Sequence, residues 1–312
     1  MNNDRPFKVL KVLCLHGHPG NSDAMQMFVE HFQERGLRAI APNLRGYGIR
    51  RHTDSKTISD FTMLDHIQDL WNLLVSDRAA EKSDTEYLIL GWSLGGILAI
   101  ELALKAMELQ NLASKDLASK SLHSKSLAPN LTPKIAGLVL IATAAKPRSS
   151  LPIIPWWEYA NLAIAVILHL IVPKILSKSS RSRWHIEWFG KRSLIKYLIQ
   201  QHTLDAYDQI ATTGATAYLQ TSRQAQTALM QALRQGYDRT QDLAKIEIPC
   251  LAIAAAQDRH ITAVSTAETA KLLPNCELIC YPNTAHLLPW EIGDRLLADI
   301  DAWCDRLLVQ EK

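Results

Sequence analysis

Ser93 stands between Gly91 and Gly95 in the run Gly-Trp-Ser-Leu-Gly-Gly, and G-x-S-x-G is the spacing that a nucleophilic serine needs on a sharp strand-to-helix turn. Two residues to either side of the serine the backbones pack against each other, so side chains have no room there. The turn lifts the Ser93 hydroxyl above the sheet, and the amide of Leu94, at the start of a helix, faces whatever that hydroxyl attacks. A serine hydroxyl is a weak nucleophile at neutral pH and needs a base within hydrogen-bond reach. His286 follows the apolar run 277–281, and an imidazole titrating near neutrality suits that task. Asp258 follows the apolar run 250–255; it would hold the imidazole in the correct tautomer and stabilise the imidazolium as it forms. The two lie 28 positions apart, room for one helix and one strand. The other strand end available for an acid reads Thr143-Ala144-Ala145-Lys146 and carries no carboxylate.

Three side chains so distant along the chain need a scaffold that collects strand ends at one edge. The apolar strand 9–15, broken only by Lys11, ends in His16-Gly17-His18-Pro19-Gly20, where the His18 amide is the candidate second oxyanion donor. Asn21-Ser22 offers a helix cap, with Met25, Phe28, Val29 and Phe32 at helical spacing behind it. His16 and His18 have no third ligand at a recognisable spacing, so no metal site is expected. A short strand at 38–42 and a glycine-punctuated loop at 43–48 lead to a long amphipathic helix opening at Thr57-Ile58-Ser59 and running to Val75. The strand before the elbow, the helix after it, a further strand at 137–142, and the strand and helix patterns beyond 241 repeat this alternation. It predicts an α/β fold, a mostly parallel sheet with helices on both faces joined by right-handed crossovers.

Two stretches interrupt the pattern. A repeat of five, Leu112-Ala113-Ser114-Lys115 onward to Lys125, matches neither helix nor strand period and reads as a surface insertion within about 110–132, without chemistry. Residues 146–240 read as a helical insertion over the sheet. Within it the apolar run 162–172 is interrupted only by His169, preceded by Trp156-Trp157 and followed by Lys174, Lys178, Arg181 and Arg183. That run is short of the roughly 20 residues a membrane span requires. Two readings compete: a helix buried against the rest of the insertion, and a greasy lid that lines an acyl pocket or touches a membrane surface through the aromatic pair and the basic cluster.

The 312 residues, 47% hydrophobic and 21% charged, suffice for a large core. A formal charge of +3 gives no reason to expect nucleic acid. Five cysteines without C-x-x-C spacing read as buried free thiols in a reducing compartment, and residues 1–8 show no secretion signal. The expected location is the cytoplasm, with membrane association through the insertion.

On the Gly-Trp-Ser-Leu-Gly-Gly elbow, the His-Gly-x-Pro-Gly loop and the chain order Ser93, Asp258, His286, the sequence resembles the α/β-hydrolase superfamily. The branch is the one with a helical cap between the sixth and seventh core strands. The resemblance implies a core formed by 1–145 and 241–312, a cap or lid at 146–240, and a carboxylesterase-like activity. Ser93, Asp258 and His286 would form the triad, with His18 and Leu94 lining the oxyanion hole, and no cofactor or metal would be needed. Epoxide hydrolases and haloalkane dehalogenases place aspartate at the elbow, where this chain has Ser93, and the basic insertion does not suit a proline iminopeptidase. Asn43, Ala255 and Ala285 depart from residues common in the family. The expected reaction is cleavage of a carboxylic ester, or a thioester, of a lipophilic acyl substrate. The alternatives are acyl transfer or cofactor-free perhydrolysis by the same triad, and a small-molecule-binding homologue without turnover.

Overall fold

The computed structural model describes residues 8–50, 57–80, 84–119, 132–175 and 184–309. In chain order the elements are β1 (Lys8–Leu15), α1 (Gln26–Glu34), β2 (Arg38–Ile40), α2 (Met63–Ala80), β3 (Asp84–Trp92), α3 (Leu94–Ser119) and β4 (Lys134–Ile141). Next come α4 (Trp156–Ile175), α5 (Trp184–Trp188), α6 (Leu204–Gln209), α7 (Ala215–Leu219) and α8 (Arg223–Arg234). The chain returns with β5 (Cys250–Ala255), α9 (Ala263–Leu272), β6 (Cys276–Tyr281), α10 (Leu288–Glu291) and α11 (Gly293–Val309). Among the described residues the strands form one sheet in the order β2-β1-β3-β4-β5-β6, every pair parallel.

Parallel strands joined by helical crossovers are covered on both faces, so they read as continuous apolar runs. Side-chain alternation divides them between two cores. Val12, Cys14, Leu88, Leu90, Val139 and Ile141 pack with Phe28 and Phe32 of α1 and Ile300 and Trp303 of α11. Leu13, Leu15, Ile89, Leu138 and Leu140 face Leu70 and Leu74 of α2 and Leu98 and Leu102 of α3. Lys11, in the middle of β1, is buried, and its ammonium donates to Asp77 at 2.7 and 2.8 Å, which offsets the cost of removing it from water. The first core does not stop at the sheet: Ala165, Ile186, Ile195, Ile199 and Tyr207 from the 156–209 region belong to the same cluster.

Several details differ from the sequence reading. The second helix begins at Met63 rather than at Thr57, because Thr62 and Asp65 cap each other reciprocally: the Thr62 amide donates to Asp65 Oδ2 at 3.0 Å and the Asp65 amide to Thr62 Oγ1 at 3.3 Å. The elbow helix α3 extends to Ser119 and absorbs the first units of the repeat of five; the remainder, from 120 to 131, lies outside the described residues. Of the cysteines, Cys14, Cys250 and Cys304 are buried, but Cys276 is half-buried and Cys280 exposed, since β6 is an edge strand. The helical excursion enters between β4 and β5.

Candidate active site

Sequence dictates the turn at the end of β3. Ser93 adopts φ 54, in the left-handed region, a conformation that a residue with a Cβ holds only when its surroundings enforce it. A Cβ on Gly91 would run into the Gly95 carbonyl, and one on Gly95 into the Leu15 carbonyl of β1, so the G-x-S-x-G glycines are required by contact. The turn is tied on every side. The Ser93 amide donates to the Ile141 carbonyl at 2.9 Å; the Ser93 carbonyl accepts from the Gly96 amide at 3.0 Å and from Thr143 Oγ1 at 2.8 Å. The result is a hydroxyl fixed at the carboxyl edge of the sheet, beside the start of α3 at Leu94.

Two further strand ends meet it there. His286, in the loop after β6, places Nε2 3.0 Å from Ser93 Oγ and Nδ1 2.7 Å from Asp258 Oδ2, after β5. All three side chains are buried. Asp258 is itself held: its Oδ1 accepts from the amides of His260 and Ile261 at 2.7 and 2.9 Å, leaving Oδ2 for the imidazole. A carboxylate on Nδ1 makes that nitrogen the donor, which leaves Nε2 as the acceptor for a proton from Ser93.

The loop at 16–20 completes the edge. A Cβ on Gly17 would lie 3.1 Å from the Ser93 Cβ, so this loop abuts the nucleophile. His16 is buried with both ring nitrogens engaged by backbone: Nε2 accepts from the Leu44 amide at 3.2 Å and Nδ1 lies 2.8 Å from the Gly17 carbonyl. Burial pushes its pKa down to about 4, so it is a neutral strut for the loop. His18 is likewise lowered to about 4 by burial, with Nδ1 3.0 Å from the Tyr47 hydroxyl. Leu94 follows Ser93 directly, and His18 follows Gly17, the residue that abuts the nucleophile. Among the described residues no group of three or more His, Cys, Asp or Glu could hold a metal ion.

Four residues that sequence reasoning did not single out hold this arrangement. Trp92 donates its indole N–H to the His286 carbonyl at 3.0 Å, joining the elbow to the histidine loop. Glu291, buried at the end of α10, accepts the Ala285 amide at 2.7 Å on Oε1 and the Gln200 and Gln201 amides at 2.7 and 2.8 Å on Oε2. Burial is the largest influence on its carboxyl and raises its pKa, against the three amide donors. His260 packs its ring 4.5 Å from that of His286, and burial, followed by the nearby His286, lowers its pKa to about 3. Tyr47 is fully buried between His16 and His18. Only the His-Gly-x-Pro-Gly loop gave any signal near these positions; a lone glutamate and a lone tyrosine carry none. Of the family departures, Asn43 accepts the Ser22 amide at 2.9 Å, Ala255 accepts the Asp258 amide through its carbonyl, and Ala285 donates to Glu291.

Comparison with known proteins gives three results. Residues 12–299 match the model of the alpha/beta hydrolase family. Over 98 residues, 31% of the chain, the sequence is 32% identical to a multifunctional-autoprocessing repeats-in-toxin protein of Vibrio cholerae. The chain spans about 2% of the length of the curated relatives it matches. Among solved structures, a thermophilic esterase from Thermogutta terrifontis aligns with a TM-score of 0.60 at 19% identity, over 97% of this chain and 92% of its own. A carboxylesterase of the ammonia-oxidizing thaumarchaeon Nitrososphaera gargenis aligns with a TM-score of 0.63 at 17% identity, over 99% and 94%. At those identities the likeness concerns the fold.

Proposed function

The chain belongs to the alpha/beta hydrolase family, and from that premise we propose that it is a serine hydrolase cleaving carboxylic esters of lipophilic acyl substrates. The observation that carries the reading is the unbroken hydrogen-bond chain from Asp258 through His286 to Ser93, at 2.7 and 3.0 Å. Ser93 Oγ attacks the ester carbonyl while His286 Nε2 takes its proton. Asp258 keeps the imidazole in register and stabilises the imidazolium. The oxyanion forms against the amides of Leu94 and His18, each such donor accounting for on the order of a hundredfold or more in rate. His286 then protonates the departing alkoxide, and water, deprotonated by the same imidazole, releases the acid from the acyl-enzyme.

The helices of 146–240 serve as the cap in this reading, and Ile195, Ile199 and Ile210 pack in the same apolar cluster as Leu287 beside the histidine. Burial of an acyl chain beneath such a cap contributes roughly 0.8 kcal/mol per CH₂. A fluorophosphonate probe and a series of p-nitrophenyl acyl esters test the proposal. The wild-type protein should label and turn over, with longer acyl chains preferred. Ser93→Ala should do neither. Full turnover by folded Ser93→Ala, or no labelling of the folded wild type, overturns it.

A further inference from the structure

Helix α4 is apolar on both faces. Its inward face packs Leu162, Ala165 and Val166 on the core and also holds Glu158 and His169, 3% and 4% exposed. Its outward stripe holds Trp156, Ile164, Ile167, Leu170 and Ile171, with Trp156 80% and Ile167 54% exposed. A helix on the surface of a water-soluble domain keeps polar residues on its outer face. Both buried polar residues reach partners within the protein: Glu158 Oε1 accepts from Lys196 at 2.7 Å, and His169 lies 2.9 Å from His185 and 2.7 Å from Asp208. These bonds fix the rotation of the helix and keep the apolar stripe outward. Helix α5, which packs against α4, adds exposed Trp184 and Trp188, and exposed apolar residues in such number mark an interaction site.

The surroundings of that surface identify its occupant. The Arg192 guanidinium sits 5.0 Å from the centre of the Trp188 ring and the Lys196 ammonium 5.7 Å from that of Trp157, so cations flank the aromatic side chains. Residues 146–240 hold twelve Lys and Arg against five Asp and Glu, although the whole chain carries only +3. No helix among the described residues is long and apolar enough to cross a membrane, and Glu158 and His169 of α4 are engaged within the protein. A second copy of this chain would bring like charges from this cation-rich region together. We infer that α4 and α5 dock in the plane of an anionic lipid bilayer, the apolar stripe entering by about 5–10 Å and the cations meeting lipid phosphates. The inference does not depend on the esterase reading. If both hold, the docked face and the histidine loop lie on opposite sides of one packed layer, because Leu162 and Val166 of α4 pack against the core that includes Leu287.

The test is flotation of the full-length protein with phosphatidylcholine vesicles and with vesicles containing a third phosphatidylglycerol. Trp fluorescence quenching by brominated lipids is read in parallel. The protein is expected to float with the anionic vesicles, to be released by high salt and to be quenched. Ile164→Asp/Ile167→Asp changes only exposed positions, so its melting temperature should match the wild type, whereas its vesicle partition should fall by more than about a hundredfold. Folded wild-type protein that stays in the soluble fraction with both vesicle types overturns the inference. So does undiminished flotation of the double variant, or sedimentation showing a dimer that the double variant dissociates.

Discussion

Asp258 makes three hydrogen bonds, two to backbone amides and one to an imidazole, and this division decides what its replacement would do. In Asp258→Asn the carbonyl oxygen still accepts from the amides of His260 and Ile261, so the loop keeps its shape. The new NH₂ group then faces His286 Nδ1 and forces the proton onto Nε2, which can no longer accept from Ser93. In the ester assay kcat should fall by on the order of ten-thousandfold, with KM little changed and the fold intact by circular dichroism. Ser93 was legible in the sequence because its glycines stand where contact requires them. Asp258 and His286 were legible because each follows an apolar strand at the right remove. His260 and Trp92 were not, since what they do depends on a ring stack and on an indole reaching a carbonyl 194 positions away, and neither leaves a local pattern.

The element that deserves comparison with the triad is the segment 198–201, which touches the histidine loop at several points. The Leu287 amide donates to the Leu198 carbonyl at 2.9 Å, and Glu291 binds the amides of Gln200, Gln201 and Ala285. Glu291→Gln puts an NH₂ group against amides that need an acceptor and should cost about 1–3 kcal/mol of stability. It should also let His286 drift, lowering kcat by between about ten- and a hundredfold while KM changes little. Melting temperature, kcat and the rate of fluorophosphonate labelling, measured on the same preparation, check this. Unchanged labelling in a destabilised protein would leave Glu291 a purely structural tie. Helix and strand periodicity gave the order of elements but not such clasps. The start of α2 was misplaced by the same limitation, because a Thr62–Asp65 cap outweighed the Ser and Thr residues upstream of it.

For the molecule as a whole, acid is the expected weakness. His16 and His66 are buried and His18 is half-buried, and loss of water contact brings each pKa down to about 4 from an ordinary value near 6.5. Between those values the unfolded chain binds protons that the folded chain refuses, so stability rises with pH across the interval and is lost as pH falls through it. For His16 alone the full loss, reached below about pH 4, is about 3 kcal/mol. Thermal unfolding followed from pH 7 to pH 4 should show the melting temperature dropping mainly below pH 6.5. A flat profile would mean that these histidines are not buried neutral groups. Fold class and sheet direction were readable from the alternation of apolar runs, whereas the union of the insertion with the sheet was not, because packing between segments distant in sequence leaves no periodicity. Yet Ile186, Ile195 and Tyr207 belong to the same apolar cluster as Val12 and Ile141. A chimera that exchanged residues 146–240 for the roof of another hydrolase would therefore cut through shared interior rather than at a hinge, and its yield of folded protein would record the damage before its substrate range did.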